Sequence, residues 1–337
     1  MNELVVGKRI VTIGGGTGGF TVNRGLHSYP VFPTAICTVF DSGGSSGILR
    51  DEFGSLPQGD IRRCLIALAG DDQETLRQLF AYRFENGASP SSTLKDHSLG
   101  NLLLLAAEKT WGSVEGIKRL SHLLGVHGEV LPISTDNATL CAELSDGTTI
   151  RGETNIDLRP LDDARIIKKI WLEPSAIISR EAAQAIASAD TIVFGPGDLY
   201  TSIIPNLLVK GVAESIKNSK AQVVFVVNLM TKWSETRDFT AVDFLKTLLS
   251  YDIGREKVDA VIINSTPIPQ ELIELYANKD KSTPVVATPE IIESLKQYAH
   301  RVGDGDLLSK NGLKQKLVRH SVKRLARSIV ELPAEAA

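Results

Sequence analysis

Apolar runs and polar breaks alternate along most of the chain. Short β-branched or apolar runs at 8–13 (KRIVTI), 34–40 (TAICTVF), 130–133, 191–194 (TIVF), 223–227 and 260–263 predict buried strands. Helical spacing predicts helices at 17–27, 59–69, 73–84, 97–110, 114–124, 181–189, 209–217, 241–250, 269–277 and 314–332, the last basic and amphipathic. The helix at 97–110, rich in leucine (Leu99, Leu102, Leu103, Leu104, Leu105), is expected to be buried nearly all round. The helix at 73–84 spaces Leu76, Leu79, Phe80 and Phe84 along one face, and 88–93 (ASPSST) reads as a loop. Strands alternating with helices imply an α/β fold with a mostly parallel sheet and helices on both faces. Residues 136–175 break the alternation. A hairpin at 142–151 turning at Asp146-Gly147, and a strand at 166–172, predict a small β-hairpin insertion at the sheet edge. That segment is too short to fold alone, so 1–337 is expected to form a single large nucleotide-binding domain.

The 337 residues are 42% hydrophobic and 23% charged, enough to bury a full core without metal or disulfide staples. Net charge is −3, so no overall field favours nucleic acid. The basic stretch 310–327 reads as one solvated helix face. Cys37, Cys64 and Cys141 lack metal-ligand spacing and suit a reducing compartment, the first two as small core residues. With no signal region and no apolar run of membrane-spanning length, the expectation is a cytoplasmic protein without a membrane span.

The chemistry gathers at strand ends. Gly14-Gly15-Gly16-Thr17-Gly18-Gly19 joins the first strand to the first helix, and free N–H groups at such a helix start favour an anion. Gly14, Gly16 and Gly19 match G-x-G-x-x-G. Asp41 stands roughly 20 residues on, where a dinucleotide fold places its ribose-binding acid. An NAD(P) cofactor is therefore one reading. Asp41 is instead followed by a second Gly/Ser loop, Ser42-Gly43-Gly44-Ser45-Ser46, which suggests a second anion nest. Phe20 stands where a P-loop lysine would be, which disfavours P-loop ATP hydrolysis. A third cradle is Gly195-Pro196-Gly197-Asp198, followed by Thr201 and Ser202, with Tyr200 placed to cover a base or sugar. Asp60 reads as a helix cap or a ligand residue, and Arg62 as a phosphate fork. His97 and Asn101, one helical turn apart, read as a structural pair or as residues of a pocket mouth.

Seven stretches in one order, IGGGTGG (13–19), DSGGSSGILRDE (41–52), PQGDIRRCLIAL (57–68), HSLGNLLL (97–104), FGPGDLYTSIIPNLLVKGV (194–212), NLMTKWSETRDFTAVD (228–243) and VIINS (261–265), resemble the CofD-like superfamily. Within it they resemble the YvcK-type gluconeogenesis factors, the UPF0052 family. The resemblance implies a Rossmann-like three-layer fold. It also implies a UDP-sugar such as UDP-N-acetylglucosamine bound as a signal, and a bacterial role in cell shape on gluconeogenic carbon sources. It implies that Tyr276 and Arg319 contact the nucleotide, by stacking and by forking onto the diphosphate. Asn228 and Thr231, in the sixth stretch, join the expected nucleotide-binding set. Ser42 departs from the Asp-Asp-Gly-Gly frequent in that family, which weakens Mg²⁺-assisted chemistry needing two acids. The sister branch, 2-phospho-L-lactate transferase, would use Asp41 to orient an acceptor hydroxyl or Mg²⁺. A regulatory protein partner and a homodimer are further expectations.

Overall fold

The computed structural model describes residues 7–84 and 94–332, so the loop expected at 88–93 lies outside the described residues. The strands are β1 (Arg9–Gly14), β2 (Phe32–Cys37), β3 (Glu129–Pro132), β4 (Thr139–Leu144), β5 (Thr149–Arg151), β6 (Ile167–Glu173), β7 (Thr191–Phe194), β8 (Gln222–Val226), β9 (Val258–Asn264) and β10 (Ala299–Gly305). The first helices are α1 (Gly16–Leu26), α2 (Gly44–Phe53), α3 (Gly59–Leu68), α4 (Glu74–Ala81), α5 (Leu99–Trp111), α6 (Ser113–Leu123), α7 (Glu153–Asp157) and α8 (Arg180–Ala187). A π-helical turn (Leu199–Ile203) leads into α9 (Ile204–Leu207). The chain continues through α10 (Val212–Asn218), α11 (Ala241–Ser250), α12 (Gln270–Asp280), α13 (Pro289–Leu295), α14 (Lys310–Lys314) and α15 (Val322–Val330).

Seven strands form one parallel sheet in the order β10-β9-β8-β7-β1-β2-β3. Alternate residues feed two apolar layers. Val11, Ile13, Ile192, Phe194, Val223 and Phe225 enter the larger one. Ile10, Val193, Val224, Val226 and Ile262 enter the other, closed by Val22 and Leu26 of α1 and by Leu325 and Ile329 of α15. Burying each such side chain fully contributes roughly 1.5–3 kcal/mol. The result is the α/β, Rossmann-like architecture expected.

The expected hairpin and the further strand form a three-stranded antiparallel sheet, β5-β4-β6. Its turn closes at Asp146-Gly147, where Thr148 N–H donates to the Asp146 carboxylate. Leu140, Ala142, Ile167, Ile170 and Leu172 belong to the larger core.

Four expectations need correction. The Gly/Ser run after Asp41 becomes helical from Gly44, because tertiary bonds to Ser45 and Ser46 override weak propensity. Helix α5 starts at Leu99 behind a Ser98 cap and buries one face only, Gly100, Asn101, Leu104 and Ala107. The helix expected from 209 begins at Val212, after Gly211 at φ +94°. The basic C-terminal stretch is not one helix. Lys316 adopts φ +58°, Leu317 N–H returns to the Gly312 carbonyl, and α15 restarts behind the Ser321 cap.

Candidate functional site: a two-lobed cleft at the strand-order reversal

Strand order reverses at β1, which has β2 on one side and β7 on the other. Open α/β sheets bind ligands beyond the C-terminal strand ends at that point. The loops after β1 and β7 meet there. A Cβ on Gly18 would lie 1.9 Å from the Pro196 carbonyl oxygen, so only glycine permits the contact. Gly16 takes φ +66°, a left-handed turn suited to glycine. Asn228, just beyond β8, clamps the loop after β7 from both sides: its amide accepts from Gly197 N–H (3.1 Å) and donates to the Gly197 carbonyl (2.8 Å).

Two lobes flank this junction and share Gly16, Thr17, Asp198 and Ser202 on their rim. Lobe one, about 250 Å³, is also lined by Gly18, Asn228, Thr231, Lys232, Tyr276, Arg319 and His320. The Tyr276 hydroxyl accepts from Val318 N–H (3.1 Å), which ties α12 to the segment carrying Arg319. Arg319 is exposed, and its guanidinium has no ion-pair partner among the described residues.

Lobe two, about 350 Å³, is acidic: Asp41, Asp60, Glu153, Asp157 and Asp198 line it, with Arg63. Thr38, 3% exposed, has an unpartnered hydroxyl there. Burial, with the charges of Asp41 and Asp157, pushes the Glu153 carboxyl up to about 8. Asp41 bonds Gly43 N–H at 2.8 Å, and the Ser42 hydroxyl accepts from Thr154 N–H at 3.0 Å, packing the second loop on α7. Between the lobes, Lys232 bridges Asp157 and Asp198, with Glu235 3.5 Å away. Burial works against the Lys232 ammonium, but these carboxylates more than offset it and hold its charge above the usual lysine range. The oxygens of Asp157, Asp198 and Glu235 lie within 4.8 Å of one another, and Lys232 supplies the cation among them.

The structure thus gathers Gly16, Thr17, Gly18, Asp41, Gly43, Gly44, Asp60, Gly197, Asp198, Thr201, Ser202, Asn228, Thr231, Tyr276 and Arg319 around one cleft. Asp60 forms part of its wall, and other expected residues sit behind it. Asp60 reaches in from α3 and accepts Gly16 N–H at 2.8 Å, so the start of α1 is partly occupied by the protein's own carboxylate. Burial pushes that carboxyl up. Arg62 is 8% exposed and donates to Asn101 (2.9 Å) instead of forking into the cleft. Asn101 donates to Ser45, which pairs with His97 at 2.9 Å, making a buried polar chain under α2. Ser46 accepts from Gly59 N–H. Tyr200 is buried edge-on to Tyr251, so it covers no base. Gly14 ends β1, Gly15 and Gly195 shape the loops, and Gly19 lies within α1, none of them lining either lobe.

Sequence reasoning missed Thr38, Arg63, Glu153, Asp157, Lys232 and His320. Asp157 and Glu153 come from the insertion, which carried no site signal. A wider groove of about 830 Å³ includes Arg9 and Phe32, at the starts of β1 and β2, the end opposite to the ligand crevice.

A parallel sheet with glycine-rich loops at its strand-order reversal defines a Rossmann-like α/β protein. The chain belongs to the CofD family: the pattern described as 2-phospho-L-lactate transferase CofD matches residues 10–308. The gluconeogenesis factor of Halalkalibacterium halodurans is 40% identical over 327 residues, covering 96% of each chain. That of Bacillus subtilis is 37% identical over 329 residues, covering 97% of this chain and 98% of its own. A crystal structure of a UPF0052 family member from Bacillus halodurans superposes with a TM-score of 0.87 at 38% identity, covering 97% of this chain and all of that one.

Proposed function

We propose that the cleft binds a UDP-sugar of the UDP-N-acetylglucosamine kind, and that the protein acts as a regulator of growth on gluconeogenic carbon and of cell shape, without turnover. The carrying observation is Arg319, a cation without an ion-pair partner among the described residues. It lines the same lobe as Tyr276, across from the glycine loops. A guanidinium so placed suits a diphosphate, and an aromatic face suits a base. The nucleoside would enter lobe one, the diphosphate the shared rim, and the sugar lobe two, where carboxylates accept its hydroxyls. The relatives' name, gluconeogenesis factor, supports the part that concerns gluconeogenic carbon. Such a regulator would act through a protein partner or a homodimer surface. In a thermal-shift assay, UDP-sugars at 1 mM are expected to raise the melting temperature, as a ligand of the native state must. Mass spectrometry is expected to recover them intact. No shift with any UDP-sugar would overturn the reading.

The family description favours a second reading, phospholactyl transfer to a deazaflavin alcohol, with Asp41 and the raised Glu153 beside the acceptor. Incubation with phospholactyl-guanosine diphosphate, deazaflavin and Mg²⁺ separates the two. A divalent ion between Asp157, Asp198 and Glu235 would first have to displace the Lys232 ammonium.

A further inference from the structure

We propose that Lys232 is a second cation for the diphosphate, and that Asp198 competes with the ligand for its ammonium. The proposal rests on the nucleotide reading above and adds which groups take the phosphate charge. Each of the three glycine loops spends an amide on a carboxylate of its own chain. Gly16 N–H donates to Asp60 at 2.8 Å, Gly43 N–H to Asp41 at 2.8 Å, and Tyr200 N–H to Glu235 at 2.7 Å. Gly197 N–H is taken by the Asn228 side chain. The loops therefore offer a phosphate less than their glycines suggest, and side-chain cations have to compensate its charge.

Lys232 is placed to do this. It lines lobe one together with Arg319. Its Nζ stands 2.9 Å from Asp198, which lies on the rim shared by both lobes. The side chains of this pair are 31% and 43% exposed, so both open onto the cleft, whereas the Glu235 side chain is fully buried. A diphosphate at the rim meets Asp198 as a like charge unless the ammonium turns toward the ligand. An ammonium has three donors. Asp157 and Glu235 hold Lys232 from the other side, so it can exchange Asp198 for a phosphate oxygen without losing its remaining partners. Exposed ion pairs contribute little to stability, which makes the exchange cheap.

Calorimetric titration of the full chain with UDP and with uridine tests this. Asp198→Asn keeps the shape and removes the competing charge. It is expected to raise affinity for UDP by about 3- to 10-fold and to leave uridine within about twofold. Lys232→Gln is added in that background, where one carboxylate fewer is left without its cation. The double variant is expected to bind UDP about tenfold more weakly than Asp198→Asn, with uridine again little changed. A purely structural ion pair predicts the opposite for the single variant: weaker binding of UDP and uridine alike. Unchanged or weaker UDP binding by Asp198→Asn overturns the proposal, whether or not the double variant folds. A gain that survives Lys232→Gln removes the lysine from the phosphate site. Failure of the wild-type chain to bind UDP overturns the nucleotide reading, and this inference with it.

Discussion

Glu153 shows how a single residue of the cleft couples to pH. Its carboxyl accepts from the Thr154 hydroxyl (3.1 Å) and faces the charges of Asp41 and Asp157 from a half-buried position. It titrates near 8 in the folded chain, against about 4.3 for an unfolded glutamate. The folded state therefore holds the proton more tightly. That contribution to stability is complete below the unfolded value and is lost as pH rises through about 8. Glu153→Gln keeps the shape and removes the titration. It is expected to raise stability by about 1–3 kcal/mol at pH 9 relative to wild type, a figure discounted for coupling, and to change little at pH 5. Urea unfolding at the two pH values reads the difference directly. Glu235 shifts in the same direction, so only the comparison with the variant isolates Glu153. A difference independent of pH would refute the assignment.

At the scale of elements, the first cradle depends on a contact between α1 and α3. A Cβ on Gly15 would stand 1.9 Å from Asp60 Oδ2, while Oδ1 of the same carboxylate accepts Gly16 N–H. Gly15→Ala is expected to cost about 2–4 kcal/mol, the range for a clash combined with a broken buried bond. In an Asp60→Ala background the same substitution is expected to cost about 1 kcal/mol or less, because the clashing carboxylate is gone. Additive effects in urea denaturation would show that the two residues do not meet. This contact also marks the limit of what the chain's pattern discloses. The glycine loop, and the strands beside it, were legible because continuous β-branched runs bounded by glycines have few alternatives. Asp60 looked like a local cap because a cap and a cross-element bond use the same residue type. Helix α2 was hidden by Gly44, Ser45, Ser46 and Gly47, whose helical state depends on His97, Asn101 and Gly59 far along the chain. Strand β10 was missed because its HRVGDG run is half exposed at the sheet edge and lacks an apolar pattern. His320 and Lys232 gave no periodic signal, since they sit in irregular segments where only tertiary packing sets direction.

At the scale of the whole molecule, lobe one is assembled from distant parts of the chain, and its C-terminal wall is positioned by helix packing behind the sheet. Arg319 and His320 immediately precede the Ser321 cap of α15, and Ser321 N–H is anchored to the Leu307 carbonyl at 2.7 Å. Helix α15 lies tightly on α1: a Cβ on Gly25 would approach the Val322 oxygen to 2.5 Å and the Ala326 Cβ to 2.6 Å. Gly25→Ala must therefore push α15 outward, and the segment carrying Arg319 and His320 moves with it. The expected stability cost is about 1–3 kcal/mol. A ligand-binding group displaced by even about 1 Å loses much of its effect, so affinity for UDP is expected to fall roughly tenfold although residue 25 is outside the lining of the cleft. Leu325→Ala supplies the contrast. It empties volume on the same helix without wedging the pair apart, and is expected to cost about 2–5 kcal/mol while leaving affinity within about threefold. Both variants can be titrated at a temperature where each is fully folded. If UDP binds both equally well, or both equally poorly, the separation of α1 and α15 does not position lobe one.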